Sequence, residues 1–341
     1  MREGKNPIRD QRLENKESNH VIIVPFFISN KVEYFSGTLD ILKLCLQSLR
    51  INSCYDSQIH LVANGYRSIA IEKELIELHQ QGYTDHLSLI TKPVGKVNAI
   101  LGVLRNVRSS YVTITDADVL FLPQWDKEVF KVFKNFKKAA AVSPVPIFRT
   151  HNRLTSNIWA DYLFSNKLSF SDVEDPEAMT QYAKSIGWPW LDKKYKTKYM
   201  TLTASNGDKA VVGNGHFCVT YNTSIFKALP YENADFILGG NSENKYLDEP
   251  AVLCDGYRLA TLSNNAYHMG NKPEPWMSDL VNSFLPLEKE DFTILNHKFR
   301  PRKLTYRIKI KFFKNLLSRF KLLDVFYRAK GLSKNDIKFI K

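Results

Sequence analysis

The stretch from Val21 to Thr115 most constrains this chain, because apolar runs of strand length alternate there with segments whose apolar residues recur at helical spacing. VIIVPFF, Val21 to Phe27, has the β-branched and aromatic composition of a buried strand. TLDILKLCLQSLR follows, with Leu39, Leu42, Leu46 and Leu49 on one helical face, and IHLVANG, Ile59 to Gly65, is a second strand closed by the turn-prone pair Asn64-Gly65. IEKELIELHQQG predicts a second amphipathic helix, Leu87 to Ile90 a short strand, and Val97 to Arg105 a third helix that feeds a strand over Tyr111 to Thr115. This alternation implies an α/β fold, a mostly parallel sheet with helices on both faces. Ligands of such sheets sit beyond the carboxyl ends of the strands, so the loops after Asn64 and Thr115 are expected to open on one crevice.

A second half begins after AVSPVPIF, a strand closed by Pro144 and Pro146. From about Asn152 to Thr203 the periodicity is weak and includes GWPW, Gly187 to Trp190, so irregular structure or short helices are expected. AVVGNGHFCVTYN and YLDEPAVLCDGYRLATL then restore strand and helix signals. At 341 residues with 44% hydrophobic content there is enough apolar material for a large core, yet no run approaches a membrane-spanning length. The first twenty residues are polar and read as a loose arm without the apolar centre of a secretion signal, so a cytoplasmic location is expected. Cys45, Cys54, Cys218 and Cys254 are widely spaced and read as ordinary buried thiols.

Charge matters once it is located along the chain. Lys298 to Lys341 holds fifteen lysines and arginines against Asp324 and Asp336, so this tail carries the whole formal excess of +13 and residues 1–297 are neutral. A neutral body with a basic tail does not suit nucleic-acid binding, which needs positive charge across the binding face. In the tail, Ile308, Phe312, Leu316, Phe320 and Leu323 recur at helical spacing among Arg307, Lys309, Lys311, Lys314 and Lys321. A helix of this kind suits the surface of an anionic membrane, or packing on the body or a partner through its apolar stripe.

TITDADVLF, Thr113 to Phe121, places Asp116 and Asp118 at the ligand edge of the sheet. Two carboxylates so spaced can hold a hydrated Mg²⁺ or Mn²⁺ and reach a ribose hydroxyl, with nucleotide phosphates completing the metal shell. KPVGKVNAIL, Lys92 to Leu101, opens a helix at Gly95-Lys96, whose free amides and lysine favour an anion. YLDEP, Tyr246 to Pro250, starts another helix with Asp248 and Glu249; either suits a general base, and both also suit helix capping. In AYHMGN, Ala266 to Asn271, His268 is a further candidate metal ligand. Trp188 and Trp190 suit stacking on an acceptor sugar, with core packing the plainer role.

Taken in order from Val21 to Asn271, these motifs resemble the GT-A glycosyltransferases, most closely the inverting, nucleotide-sugar-dependent family 2. The resemblance implies a GT-A fold with a nucleotide-sugar half over residues 21–150 and an acceptor half over 151–290; the basic helical tail, read from its charge and spacing, then occupies 291–341. Pro25, Phe27, Asn64, Lys96, Asn98 and Asp116 would lie by the nucleotide sugar, a UDP-sugar being favoured. Asp118, Asp116 and His268 would take the metal, Asp248 or Glu249 the proton, and Trp188, Trp190 and His216 of the GNGHF segment the acceptor. The late acids read Asp-Glu where the family usually has Glu-Asp. The implied reaction is an inverting transfer to a saccharide, lipid-linked or surface-polysaccharide acceptor. A sugar nucleotidyltransferase needs a glycine-rich basic loop after the first strand, which VPFFISNKVEYFSG does not supply. A non-catalytic glycan- or nucleotide-binding scaffold is the rival of another kind.

Overall fold

The computed structural model describes residues 4–5, 7, 9–10, 18–27, 36–65, 67–188, 196–292, 297–313 and 322–340. The first half runs β1 (His20–Phe26), α1 (Thr38–Asn52), β2 (Gln58–Asn64), α2 (Ile69–Gln80), β3 (His86–Ile90), α3 (Lys96–Leu104), β4 (Tyr111–Thr115), β5 (Val119–Phe121), α4 (Trp125–Asn135) and β6 (Ala139–Ser143). The second adds α5 (Ser156–Tyr162), β7 (Leu168–Asp172), α6 (Pro176–Ser185), β8 (Lys198–Thr203), β9 (Lys209–Val212), β10 (Cys218–Asn222), α7 (Glu249–Leu253), β11 (Tyr257–Ala260), β12 (Ala266–His268) and α8 (Pro275–Ser283). Three tail helices follow: α9 (Lys303–Phe313), α10 (Leu323–Ala329) and α11 (Lys334–Ile340).

Among the described residues one sheet takes the order β3-β2-β1-β4-β10-β6-β11-β9-β8-β7, and β12 pairs with β5 beside it. β1 to β4 are mutually parallel, as the strand-helix alternation requires. β10 then runs antiparallel between β4 and β6, while β11 returns parallel to β6. The architecture is therefore α/β with a parallel first half and a mixed second half.

Alternation along β1 builds two cores. Ile22, Val24 and Phe26 face α1, α2 and α4, whereas Val21 and Ile23 face α3 and α7. Packing, rather than capping, fixes α1: Gly37 gives it no side-chain cap, but Ile41, Leu42, Leu46 and Leu49 are all buried. Each such side chain contributes about 1.5–3 kcal/mol, well beyond the ~1 kcal/mol a good cap supplies. All four cysteines are free and buried, as expected.

The region from Asn152 to Thr203 is more regular than its sequence suggests. β7 and β8 pair in antiparallel register from Leu168–Leu202 to Asp172–Lys198, with α6 between them. Leu168 and Phe170 do alternate inward, but two apolar positions in five residues are too few to separate a strand from a loop by pattern alone.

The tail packs in part on the body, one of the two roles its pattern suits. α9 lies against the body through Tyr306, which is buried, and Phe313, whose ring packs on that of Trp159 at 5.5 Å. Lys309 Nζ donates to Asp161 at 2.6 Å and to Asp255 at 2.8 Å, so this member of the basic set anchors α9 to the body. Ile308 and Phe312 do point outward, joined by Leu304. Leu323 packs inward, and Leu316 and Phe320 lie outside the described residues. No helix among the described residues is long and apolar enough to cross a membrane.

Candidate functional site

A cleft of about 360 Å³ opens at the carboxyl ends of β1, β2 and β4, lined by Pro25, Phe27, Asn64, Lys96, Asp116 and Asp118, with Ile237, Leu238, Gly270 and Asn271 opposite. Six of the residues singled out from sequence thus share one cavity. Phe27 stands just past the end of β1, 40% exposed, and its ring fills the space above Gly65: a Cβ there would come within 2.7 Å of Cε2. Asn64 lines the cleft but accepts the Val94 N–H at 3.0 Å, which ties the β2 edge to the loop before α3.

The acidic pair is divided by its partners. Asp116 Oδ1 receives Lys96 Nζ at 2.6 Å, and Glu243 Oε1 lies 3.8 Å from the same nitrogen. Burial works to lower the Lys96 pKa, but Asp116 and Glu243 outweigh it and hold the ammonium above its ordinary value. Asp118 turns the other way, its Oδ2 3.4 Å from His268 Nε2. The β5–β12 ladder sets this approach by pairing Val119 with His268, and Ser185 Oγ at 2.9 Å from Nδ1 orients the ring. Burial pushes the Asp118 carboxyl above the ordinary carboxylate range, the His268 imidazole opposing it and Asp116 adding to it.

Asp118 Oδ1 is closed from solvent and has no hydrogen-bond partner. An unpartnered carboxylate oxygen beside an oriented imidazole fits a divalent cation that takes few protein ligands, as Mg²⁺ and Mn²⁺ do when phosphates complete the shell. Among the described residues no three His, Cys, Asp or Glu side chains form a full cage. Asp118 and His268 are the pair that would hold the ion.

Other candidates make their own contacts away from this lining. Asp248 is fully buried, with Oδ1 2.9 Å from Nη2 of the equally buried Arg258. Glu249 accepts from Asn244 Nδ2 at 3.1 Å and faces toward Tyr306 of α9. Asn98 was expected at the nucleotide; its amide instead donates to the Val94 and Ala234 carbonyls and accepts the Ala234 N–H, each at 2.8 Å. The α3 N-terminus is already engaged too, since Lys96 N–H donates to the Ile237 carbonyl at 2.9 Å. Trp188 is half exposed beside Phe148, and Trp190 lies outside the described residues.

The register that pairs Cys218 with Thr115 continues to Phe217, whose carbonyl accepts the Asp116 N–H at 2.6 Å. His216, the residue before it, turns its Nδ1 toward Asp248 Oδ2 at 3.4 Å. The next ring, Phe217, stacks on Tyr182 at 5.3 Å and meets His268 edge-on at 5.5 Å. Glu243 and the Ile237–Leu238 segment are the site residues that motif reading missed. The Gly239-Gly240 pair followed by an acid was the available signal, since two glycines at positive φ permit the sharp turn that lays this segment over the cleft.

Comparison with known proteins agrees with this geometry. The description of glycosyl transferase family 2 matches residues 22–227, which is more than half of the chain and runs from β1 through β10. No individual curated protein matches the chain. With the parallel nucleotide-type sheet, the cleft at its carboxyl edge and the family match in agreement, the chain belongs to glycosyl transferase family 2.

Proposed function

We propose that the protein moves a sugar, with inversion, from a nucleoside-diphosphate donor to a hydroxyl of a saccharide acceptor, a UDP-sugar being the favoured donor. The observation that carries this reading is the split acidic pair: Asp116 neutralised by Lys96 on one side of the cleft, Asp118 beside His268 with an unpartnered oxygen on the other. Phe27 and Pro25 offer flat apolar surface for a base at the far wall. Lys96 supplies positive charge where a diphosphate would lie, and Asp116 is the group within reach of a ribose hydroxyl. A bound Mg²⁺ or Mn²⁺ on Asp118 and His268 would supply charge stabilisation for the departing diphosphate. The acceptor oxygen loses its proton, attacks the anomeric carbon on the face opposite the diphosphate, and the carbon–oxygen bond to phosphate breaks with its electrons.

The direct test is a panel of UDP- and GDP-sugars with divalent metal, scored for thermal stabilisation and for slow release of nucleoside diphosphate. Stabilisation by at least one donor together with its turnover is expected. Binding without any turnover would favour the scaffold reading, and neither would overturn both.

The acceptor is proposed to be lipid-linked, at the inner face of the cell membrane. In support, Leu304 (72% exposed), Ile308 (60%) and Phe312 (45%) form an outward row on α9, flanked by the exposed Arg307 and Lys311. Basic residues near an anionic surface contribute about 1 kcal/mol each. Liposome flotation should recover the full chain with anionic but not neutral vesicles, and Ile308→Asp with Phe312→Asp should abolish recovery. Equal recovery of that variant would remove the lipid surface from the reading.

A further inference from the structure

Two histidines meet at the open edge of the sheet. β3 is the outermost strand, and its first residue, His86, pairs directly with His60 in the parallel β2–β3 register. Ile59, Leu61 and Ala63 of β2 and Leu87 and Leu89 of β3 face the core on the α1 and α2 side, so period-two alternation turns both imidazoles to the opposite face. There the rings lie 4.0 Å apart between centroids, tilted by 39°. His60 is half-buried and His86 exposed, and neither ring takes part in a hydrogen bond among the described residues. We infer that His60 and His86 form a two-nitrogen site for a borderline transition-metal ion of the Zn²⁺, Ni²⁺ or Cu²⁺ class, separate from the Asp118–His268 pair in the cleft.

The backbone holds the pair in register. One residue before it, the Asp85 N–H donates to the Ile59 carbonyl at 2.9 Å, and the Ile59 N–H donates back to Asp85 Oδ2 at 2.7 Å. Arg50 Nη2 donates to the same oxygen at 2.6 Å. The acid next to His86 is thus engaged in fixing β3 on β2, and the imidazoles are the groups left open. The pair also lies away from the cleft: His60 precedes Asn64, the cleft-lining end of β2, by four residues, or about 13 Å along the strand.

The donor chemistry selects the ion. Zinc–imidazole bonds measure about 2.0–2.1 Å, so two nitrogens on one ion are at most about 4 Å apart. Rings 4.0 Å apart satisfy that limit once small turns about χ2, a soft torsion in histidine, bring one nitrogen of each to a common point. Burial and the neighbouring imidazole lower the His60 pKa to about 4, with Asp85 opposing, so its lone pair is free at neutral pH. Imidazole suits Zn²⁺, Ni²⁺ and Cu²⁺, whereas Mg²⁺ and Mn²⁺ prefer oxygen donors. With two protein ligands, water completes the shell, and the bound ion ties the edge strand β3 to β2.

The inference is independent of the glycosyl-transfer reading, and its test reads metal binding rather than turnover. Full-length protein without an affinity tag, cleared of metal with chelator, is titrated with Cu²⁺ and Ni²⁺ by calorimetry, and the Cu²⁺ complex is followed by electron paramagnetic resonance. Wild type should show a saturable site with two imidazole nitrogens on Cu²⁺, tighter for Cu²⁺ than for Ni²⁺. His86→Ala and His60→Gln should each weaken it about 10²-fold, because the second ligand of a chelate acts at high effective concentration. Asp118→Asn, which removes a ligand of the cleft pair, should leave it unchanged, and Mn²⁺ should not displace the Cu²⁺. His86→Ala trims an exposed ring on an edge strand, so a folded protein is available for the comparison. The same binding in wild type, His60→Gln and His86→Ala, or no binding tighter than about 1 mM, would overturn the inference. Loss of the site in Asp118→Asn alone would do so too.

Discussion

Asp118→Asn is expected to remain folded and to lose roughly 10²–10³-fold in turnover of nucleotide sugar, the loss typical when one preorganised charge is taken from a transition state. Manganese should stabilise wild type against heat and leave this variant unaffected. The sign of the metal-free comparison is informative. Burial raises the folded-state pKa of Asp118 above its unfolded value, so its ionised form opposes folding once the pH exceeds the unfolded pKa. Stability from this group is present below the unfolded pKa and is lost as pH rises through the folded one. Near neutral pH the metal-free asparagine variant should therefore melt no lower than wild type. A lower melting temperature together with unchanged turnover would make Asp118 a structural residue.

Arg258→Met should be the most destabilising change near the site, at about 3–5 kcal/mol, because it removes the buried guanidinium that faces Asp248 in the interior. It also removes the donors to the Arg153 and Asn214 carbonyls. For a chain of this size that corresponds to a drop of roughly 4–7 °C in melting temperature. Asp248→Asn with Arg258→Met should recover part of the loss, since the buried charge is then gone from both sides. Calorimetry of the single and double variants reads this directly. An Arg258→Met protein that melts with wild type would mean that Asp248 is not held as an isolated charge.

These two residues also mark where sequence reading reaches and where it stops. Asp248 was visible as an acid opening a helix, and that much is correct: it stands immediately before α7. The five residues Asn244–Asp248 form a π-helical turn, however, and the wider spacing rotates the following side chains relative to an α-helix. Asp248 therefore points inward to Arg258, while Glu243, just before the turn, lies 3.8 Å from Lys96. No local pattern distinguishes the two helical spacings over one turn. Asn98 is a related case: its place one turn into α3 was legible, but its amide partner Ala234, 136 residues away, was not.

The sequence by itself determined the parallel half of the sheet and the edge at which Asp116 and Asp118 gather. Those features follow from local periodicity and from the handedness of strand-helix-strand crossovers. Tertiary structure decided which partner each charged group meets. Lys96 goes to Asp116, His268 to Asp118, Arg258 to Asp248, and Lys309 of the basic tail to Asp161 and Asp255. Each pairing joins residues at least ten positions apart, most of them much farther, and depends on a few ångströms of side-chain approach set by strand register and packing. Periodicity carries no information about distances of that kind.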